Sequence, residues 1–152
     1  MPHRLLESYF EDLKVGQTEL SRGRTVTETD IVTYCMFSGD WFPVHCDVVY
    51  AEASAFGERI APGLAVMAMA SGLSATSDSV ATIAQYGIDR VRYPAPTCIG
   101  DTIRLRSTIV NLEDRDERSG IVDLEWEVVN QNDTVTCSIL LRLLQAKPGG
   151  DL

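Results

Sequence analysis

Basic clusters are absent from this chain: 13 Lys and Arg are scattered among 22 Asp and Glu, giving a formal net charge of -9. Without a patch to neutralise phosphates, nucleic acid is not expected as a partner, although two local basic side chains suffice for a small polyanion. Paired cysteines are absent too. Cys35, Cys46, Cys98 and Cys137 form neither a CxxC pair nor a metal-ligand spacing, so free thiols in a reducing compartment are expected, and no metal. The longest apolar stretch, 60–75, is too short and too interrupted to span a bilayer. The opening MPHRLLESYFEDL carries Glu7, Glu11 and Asp12 and no apolar core, so it does not read as a secretory leader. A cytoplasmic protein is expected. No repeat or linker divides the 152 residues, which predicts one domain over 1–152, with a core at about 9–144 and a disordered tail at 147–152.

What is present centres on Ser38-Gly39-Asp40-Trp41-Phe42-Pro43-Val44-His45, followed by Ala61-Pro62-Gly63-Leu64 and a bland apolar run. The first stretch sets a carboxylate and an imidazole among turn formers, which predicts an irregular, rigid loop rather than a helix face. The second predicts a helix over 62–74, with Pro62 in its first turn and the Gly63 N–H uncovered. Its sequence is small or apolar on every side, so a sheet is expected to wrap it. An acid–base pair beside an exposed helix N-terminus suits chemistry on a carbonyl compound.

Elsewhere, 16–26 reads as a strand with a possible bulge at Gly23. Thr27-Glu28-Thr29-Asp30 reads as a helix start, with Ile31, Tyr34, Cys35 and Ser38 on one face. Asp47 can cap a short helix over 48–55 that turns Val49, Ala53 and Phe56 inward. Four strands follow at 84–93, 102–112, 121–129 and 134–144, expected as a meander. The fold class is α+β: one curved antiparallel sheet around one long apolar helix. Strands this long, with no charged or proline-blocked edge, suggest that two copies pair edge to edge.

Over roughly 9–144 the sequence resembles the MaoC-like dehydratases, which include the R-specific enoyl-CoA hydratases, on the hot-dog fold. The resemblance rests on YFEDLKVGQ, on the Ser38-to-His45 stretch, on Pro94 to Pro96 with Gly100-Asp101-Thr102, and on Val129-Asn130-Gln131. It implies reversible addition of water across the double bond of a trans-2-enoyl thioester. The catalytic pair would be Asp40 and His45, with the Gly63 amide at the thioester oxygen; neither member of the pair is assigned as the formal base. Coenzyme A would enter as part of the substrate, with no further cofactor, and the protein would be a homodimer or an assembly of dimers. Two positions depart from the family's usual pattern: Phe42 replaces an Asn, and Pro62 replaces a His before the Gly. Trp41, Phe42, Tyr34, Pro62 and Ser71 are candidate acyl contacts, and Arg90 and Arg92 candidate partners for the coenzyme phosphates. Each has a duller alternative: core packing for Tyr34, Trp41 and Ser71, a solvated strand edge for the arginines. A thioesterase and a non-catalytic acyl-binding subunit are the competing functions.

Overall fold

The structure, a computed structural model, describes residues 4–75 and 81–149. Alternation carries most of the sheet. In β4 (Thr102–Asp114) Ile103, Leu105 and Ile109 are buried, whereas Arg104, Arg106 and Thr108 face outward. In β5 (Ser119–Val129) Val122, Leu124, Trp126 and Val128 point the same way into the core, as the period of two requires. β6 (Val135–Ala146) completes this meander.

The fourth strand of the expected meander lies elsewhere. β3 (Thr82–Arg92) pairs antiparallel with β6, so the order is β1-β4-β5-β6-β3. Pro94 and Pro96 offer no N–H to a ladder, and residues 93–101 leave the sheet and cross it before β4 begins. β3 is a free edge, but its register with β6 shifts at three points, so the edge is bulged rather than smooth as expected.

The single strand expected over 16–26 is two short ones, β1 (Thr18–Leu20) and β2 (Arg24–Thr25), both on β4. Between them the Ser21 hydroxyl oxygen accepts the Leu105 N–H at 2.8 Å, so a side chain replaces a ladder bond and the strand breaks.

Helix α1 (Glu28–Ser38) starts as expected: Thr27 Oγ1 accepts the Asp30 N–H, and Asp30 returns a bond to the Thr27 N–H at 2.8 Å. It ends at Gly39, whose φ of 77° suits glycine. Ile31 and Cys35 are buried and Tyr34 is half-buried, whereas Ser38 is exposed. Asp47 caps α3 (Val48–Ala53) through the Tyr50 N–H at 3.0 Å. This helix is shorter than expected and touches the core through Ala51; Val49, Ala53 and Phe56 face outward instead of inward. Val49 is 77% exposed, whereas Phe56, 49% exposed, lines the cavity that also holds His45 and Gly63.

Helix α4 (Gly63–Ser74) buries Ala65, Val66, Met69, Ala70 and Leu73 against the sheet. Leu64, Ala68 and Ser71 form an exposed stripe. The sheet therefore supplies only half of the wrapping expected around this helix. At the base of the sheet, buried Gln145 donates to the Ser8 carbonyl at 2.6 Å and accepts from the Thr82 hydroxyl at 2.8 Å, pinning the N-terminal segment. Part of the expected disordered tail is anchored: Lys147 Nζ donates to Asp114 Oδ1 at 2.7 Å and to the Asp116 carbonyl at 2.8 Å. Residues 150–152 lie outside the described residues.

Candidate active site

Pro43 opens a short helix, α2 (Pro43–Cys46), rather than interrupting one, because its missing N–H costs nothing in a first turn. His45 therefore stands on a helix, not on the irregular loop expected, while Asp40 keeps to the turn after Gly39. His45 Nδ1 lies 2.8 Å from the Ile60 carbonyl. A carbonyl only accepts, so Nδ1 is assigned the proton and Nε2 is the ring nitrogen left for chemistry.

Ile60 is itself held fast. Its N–H donates to the Val44 carbonyl at 3.3 Å, and the Ala61 N–H donates to the Thr97 carbonyl at 2.7 Å. Arg59 grips Glu28 on the first turn of α1 with two bonds of 2.9 and 2.8 Å, the bidentate geometry that fixes direction as well as distance. These bonds tie α1, α2 and the crossover to the segment entering α4.

Pro62 is the residue before α4, one position earlier in the helix frame than expected, and it has no side-chain acceptor to offer as a cap. The first helical bond runs from the Val66 N–H to the Pro62 carbonyl at 3.1 Å. The amides of Gly63, Leu64 and Ala65 consequently have no partner within the helix and carry its positive end. Gly63 is required by packing. A Cβ there would stand 2.6 Å from Tyr93 Cζ, closer than non-bonded carbons approach.

His45, Ile60, Gly63, Tyr93, Pro96 and Thr97 share a largely apolar cavity of about 300 Å³. Burial, followed by the nearby Cys137 and Tyr34, pushes the Tyr93 phenol up to about 12. Thr97 is 4% exposed, and its hydroxyl has no hydrogen-bond partner among the described residues.

The other residues expected at the site are dispersed. Asp40 is exposed and outside this cavity; its Oδ1 accepts the Phe42 N–H at 3.4 Å. Phe42 is 56% exposed and meets the His45 and Tyr50 rings edge-on, with centroids 6.2 Å apart in each case. Trp41 is exposed beside it. Tyr34 lines a separate hollow with Phe37, Ala65 and Met69, and Ser71 another with Leu64 and Trp126. Pro62 is buried behind Gly63. Arg92 is exposed and donates to the Val91 carbonyl at 2.7 Å, and Arg90 sits at a register shift with φ 48°. Neither arginine lines the cavity.

Tyr93 and Thr97 were not expected at the site. The signal for them was Pro94-Ala95-Pro96, which marks where the chain leaves the sheet but not what it then passes. Among the described residues, no cluster of three or more His, Cys, Asp or Glu could hold a metal. No helix among the described residues is long and apolar enough to cross a membrane.

Comparison with known proteins gives this geometry a family. A profile described as MaoC like domain matches residues 13–139. The chain is 38% identical over 111 residues to Protein MaoC of Klebsiella aerogenes, covering 73% of this chain but only 33% of that protein, so it spans about a third of that relative's length. It is 33% identical over 108 residues to the (R)-specific enoyl-CoA hydratase of Rhodospirillum rubrum, covering 71% of this chain and 74% of the relative. In structure it matches the monoamine oxidase regulatory protein of Archaeoglobus at a TM-score of 0.85 and 38% identity, over 92% of this chain and 95% of the other. The antiparallel sheet on one long helix is the hot-dog fold. On the profile match and the aligned hydratase together, the chain belongs to the MaoC-like dehydratase domain family.

Proposed function

We propose that this chain catalyses reversible hydration of a trans-2-enoyl thioester, the acyl group being carried on coenzyme A, to the 3-hydroxyacyl thioester. One observation carries the reading: a histidine with Nδ1 committed to Ile60 and Nε2 free shares a cavity with the uncapped N-terminus of α4. In the hydration direction, His45 and Asp40 hold a water whose oxygen bonds to C3 as one of its O–H bonds breaks. The C2–C3 π electrons shift toward the carbonyl, and negative charge grows on the thioester oxygen, which the Gly63 amide meets. The proton that the Asp40–His45 pair takes from the water is delivered to C2, where the enolate electrons form the new C–H bond as the carbonyl is restored. The site so returns to its starting state without any oxidant or reductant.

The apolar cavity walls suit an acyl chain, with Phe42 against the His45 ring at its edge. Tyr34 and Ser71 line separate hollows and do not extend it. The exposed Arg90 and Arg92 are the proposed partners for the coenzyme phosphates. A relative named as an (R)-specific enoyl-CoA hydratase supports the reaction class. Asp40 stands in the open in a single protomer, as do Phe37, Trp41, Phe42 and Leu64. Large apolar side chains left this exposed suit a partner, and the reading gives them a second copy that also covers the open stripe of α4. Sedimentation at micromolar protein is expected to give a dimer, and a species of only 16.7 kDa would remove that part. The function is tested by incubating the protein with enoyl-, 3-hydroxyacyl- and saturated acyl-CoAs and following products by mass. Gain or loss of water is expected; release of free thiol indicates a thioesterase, and no change indicates a binding subunit.

A further inference from the structure

We infer that Tyr93 is a second donor to the thioester oxygen, its hydroxyl acting beside the Gly63 amide. The inference rests on the acyl-thioester reading above and adds a residue to it. The position of the ring over Gly63 carries the argument. A Cβ on Gly63 would lie 2.6 Å from Cζ and 2.9 Å from both Cε1 and Cε2. Equal distances to the two Cε atoms, with Cζ nearest, set that point above the carbon bearing the hydroxyl. The phenol oxygen, one bond from Cζ, is thereby held alongside Gly63, the first residue of α4.

The chain path explains how the ring gets there. Val91 pairs with Ile139 and packs against the core; Tyr93, two residues on, keeps the same face as the chain leaves β3. Pro94 then turns the backbone away, so the ring leans on α4 instead of continuing the sheet. No described residue hydrogen-bonds the Tyr93 hydroxyl, whereas the Thr136 hydroxyl on the same cavity is engaged with the Val128 carbonyl at 3.3 Å. A ring that merely filled the space over Gly63 would need no hydroxyl; Tyr93 lines the cavity and is 45% exposed, so its hydroxyl is open to an entering carbonyl. A phenol, ordinarily about 10 and pushed up to about 12 here, is protonated and able to donate at neutral pH.

Tyr93→Phe keeps the ring and removes only the donor. With an enoyl-CoA substrate, turnover is expected to fall about 10²-fold, the usual loss for one oxyanion donor, with thermal stability retained. Affinity for a saturated acyl-CoA should change little. The decisive second readout is the infrared carbonyl stretch of a bound, isotope-labelled saturated acyl-CoA. It should be lowered in the wild type and move back toward its free value in Tyr93→Phe. An unchanged carbonyl frequency, or wild-type turnover in the variant, overturns the assignment of Tyr93. A wild type that binds the thioester but never adds water overturns the hydratase reading alone, because the carbonyl shift still reports on Tyr93. A wild type that binds no acyl thioester overturns both.

Discussion

The outer face of the sheet and the mouth of the His45 cavity treat polar groups in opposite ways. Across β5 and β6, Asp123 takes two bonds from Arg142, at 2.6 and 2.9 Å, and a third from Asn111 at 3.1 Å. Arg106 bridges Glu127 at 3.0 Å and also reaches Asp133. At the cavity, the Thr97 hydroxyl has no partner among the described residues, and the first amides of α4 have no cap. The closed network fixes the register of the strands, whereas the open donors are positions that only a ligand can complete.

The contrast can be broken first at the mouth. If His45 and Asp40 hold one water, His45→Gln and Asp40→Asn should each lower turnover about 10²–10⁴-fold. The double variant should be little worse than either single one, as groups acting on the same water are not additive. Initial rates with the substrate found in the thioester panel check both statements, and additive losses would separate the two residues.

Gly63→Ala comes next. Its methyl would enter the space of the Tyr93 ring, so the ring must move. We expect turnover to drop at least about 10-fold, with a stability cost of about 1–3 kcal/mol from overpacking. Rates together with urea unfolding check this.

On the outer face the effects should reverse, with stability lost and turnover kept. Asp123→Asn removes the carboxylate from Arg142, and melting is expected a few degrees lower at neutral pH. In the wild type, the hydrogen bond from Arg142 holds the Asp123 carboxyl below its ordinary value against the opposing effect of burial, helped by Asn111. A lowered folded-state pKa stabilises fully above the unfolded value, about 3.9, and that stability is lost as pH falls through the folded value. The gap in melting temperature between wild type and Asp123→Asn should therefore be widest above about pH 5 and close in stronger acid. A constant gap would make the effect one of packing.

The smallest effect is expected at Phe42. The residue is 56% exposed, so Phe42→Asn should change stability by no more than about 0.5 kcal/mol. Its ring lies against His45, so the preference among acyl chains should shift. Competition between two enoyl-CoAs checks the preference; several kcal/mol of lost stability with unchanged preference would make Phe42 a packing residue.

Local chemistry was legible in the sequence. Thr27 and Asp30 announce α1, Gly39 ends it, and the alternation from Ile103 and from Val122 places two strands with the correct faces inward. The stretches bearing His45 and Gly63 were read together in the sequence, and the structure places both residues on one cavity. What was not legible depends on contacts between distant parts of the chain. β3 pairs with β6 instead of its sequence neighbour β4, and no pattern within 84–93 encodes that choice. Val49 is as apolar as a core residue, yet whether it faces inward depends on what covers α3. The His45–Ile60 bond and the Tyr93 ring over Gly63 follow from the crossover, and sequence spacing does not report it.

The central claim, that the His45 and Gly63 cavity adds water to C3 of an enoyl thioester, is tested most directly with water labelled in oxygen. The wild type, given a trans-2-enoyl-CoA in ¹⁸O water and followed by fragment mass, should place the label on C3 of an intact acyl-CoA. Label in a released carboxylate together with free coenzyme A, or an unlabelled and unchanged enoyl-CoA, would contradict it.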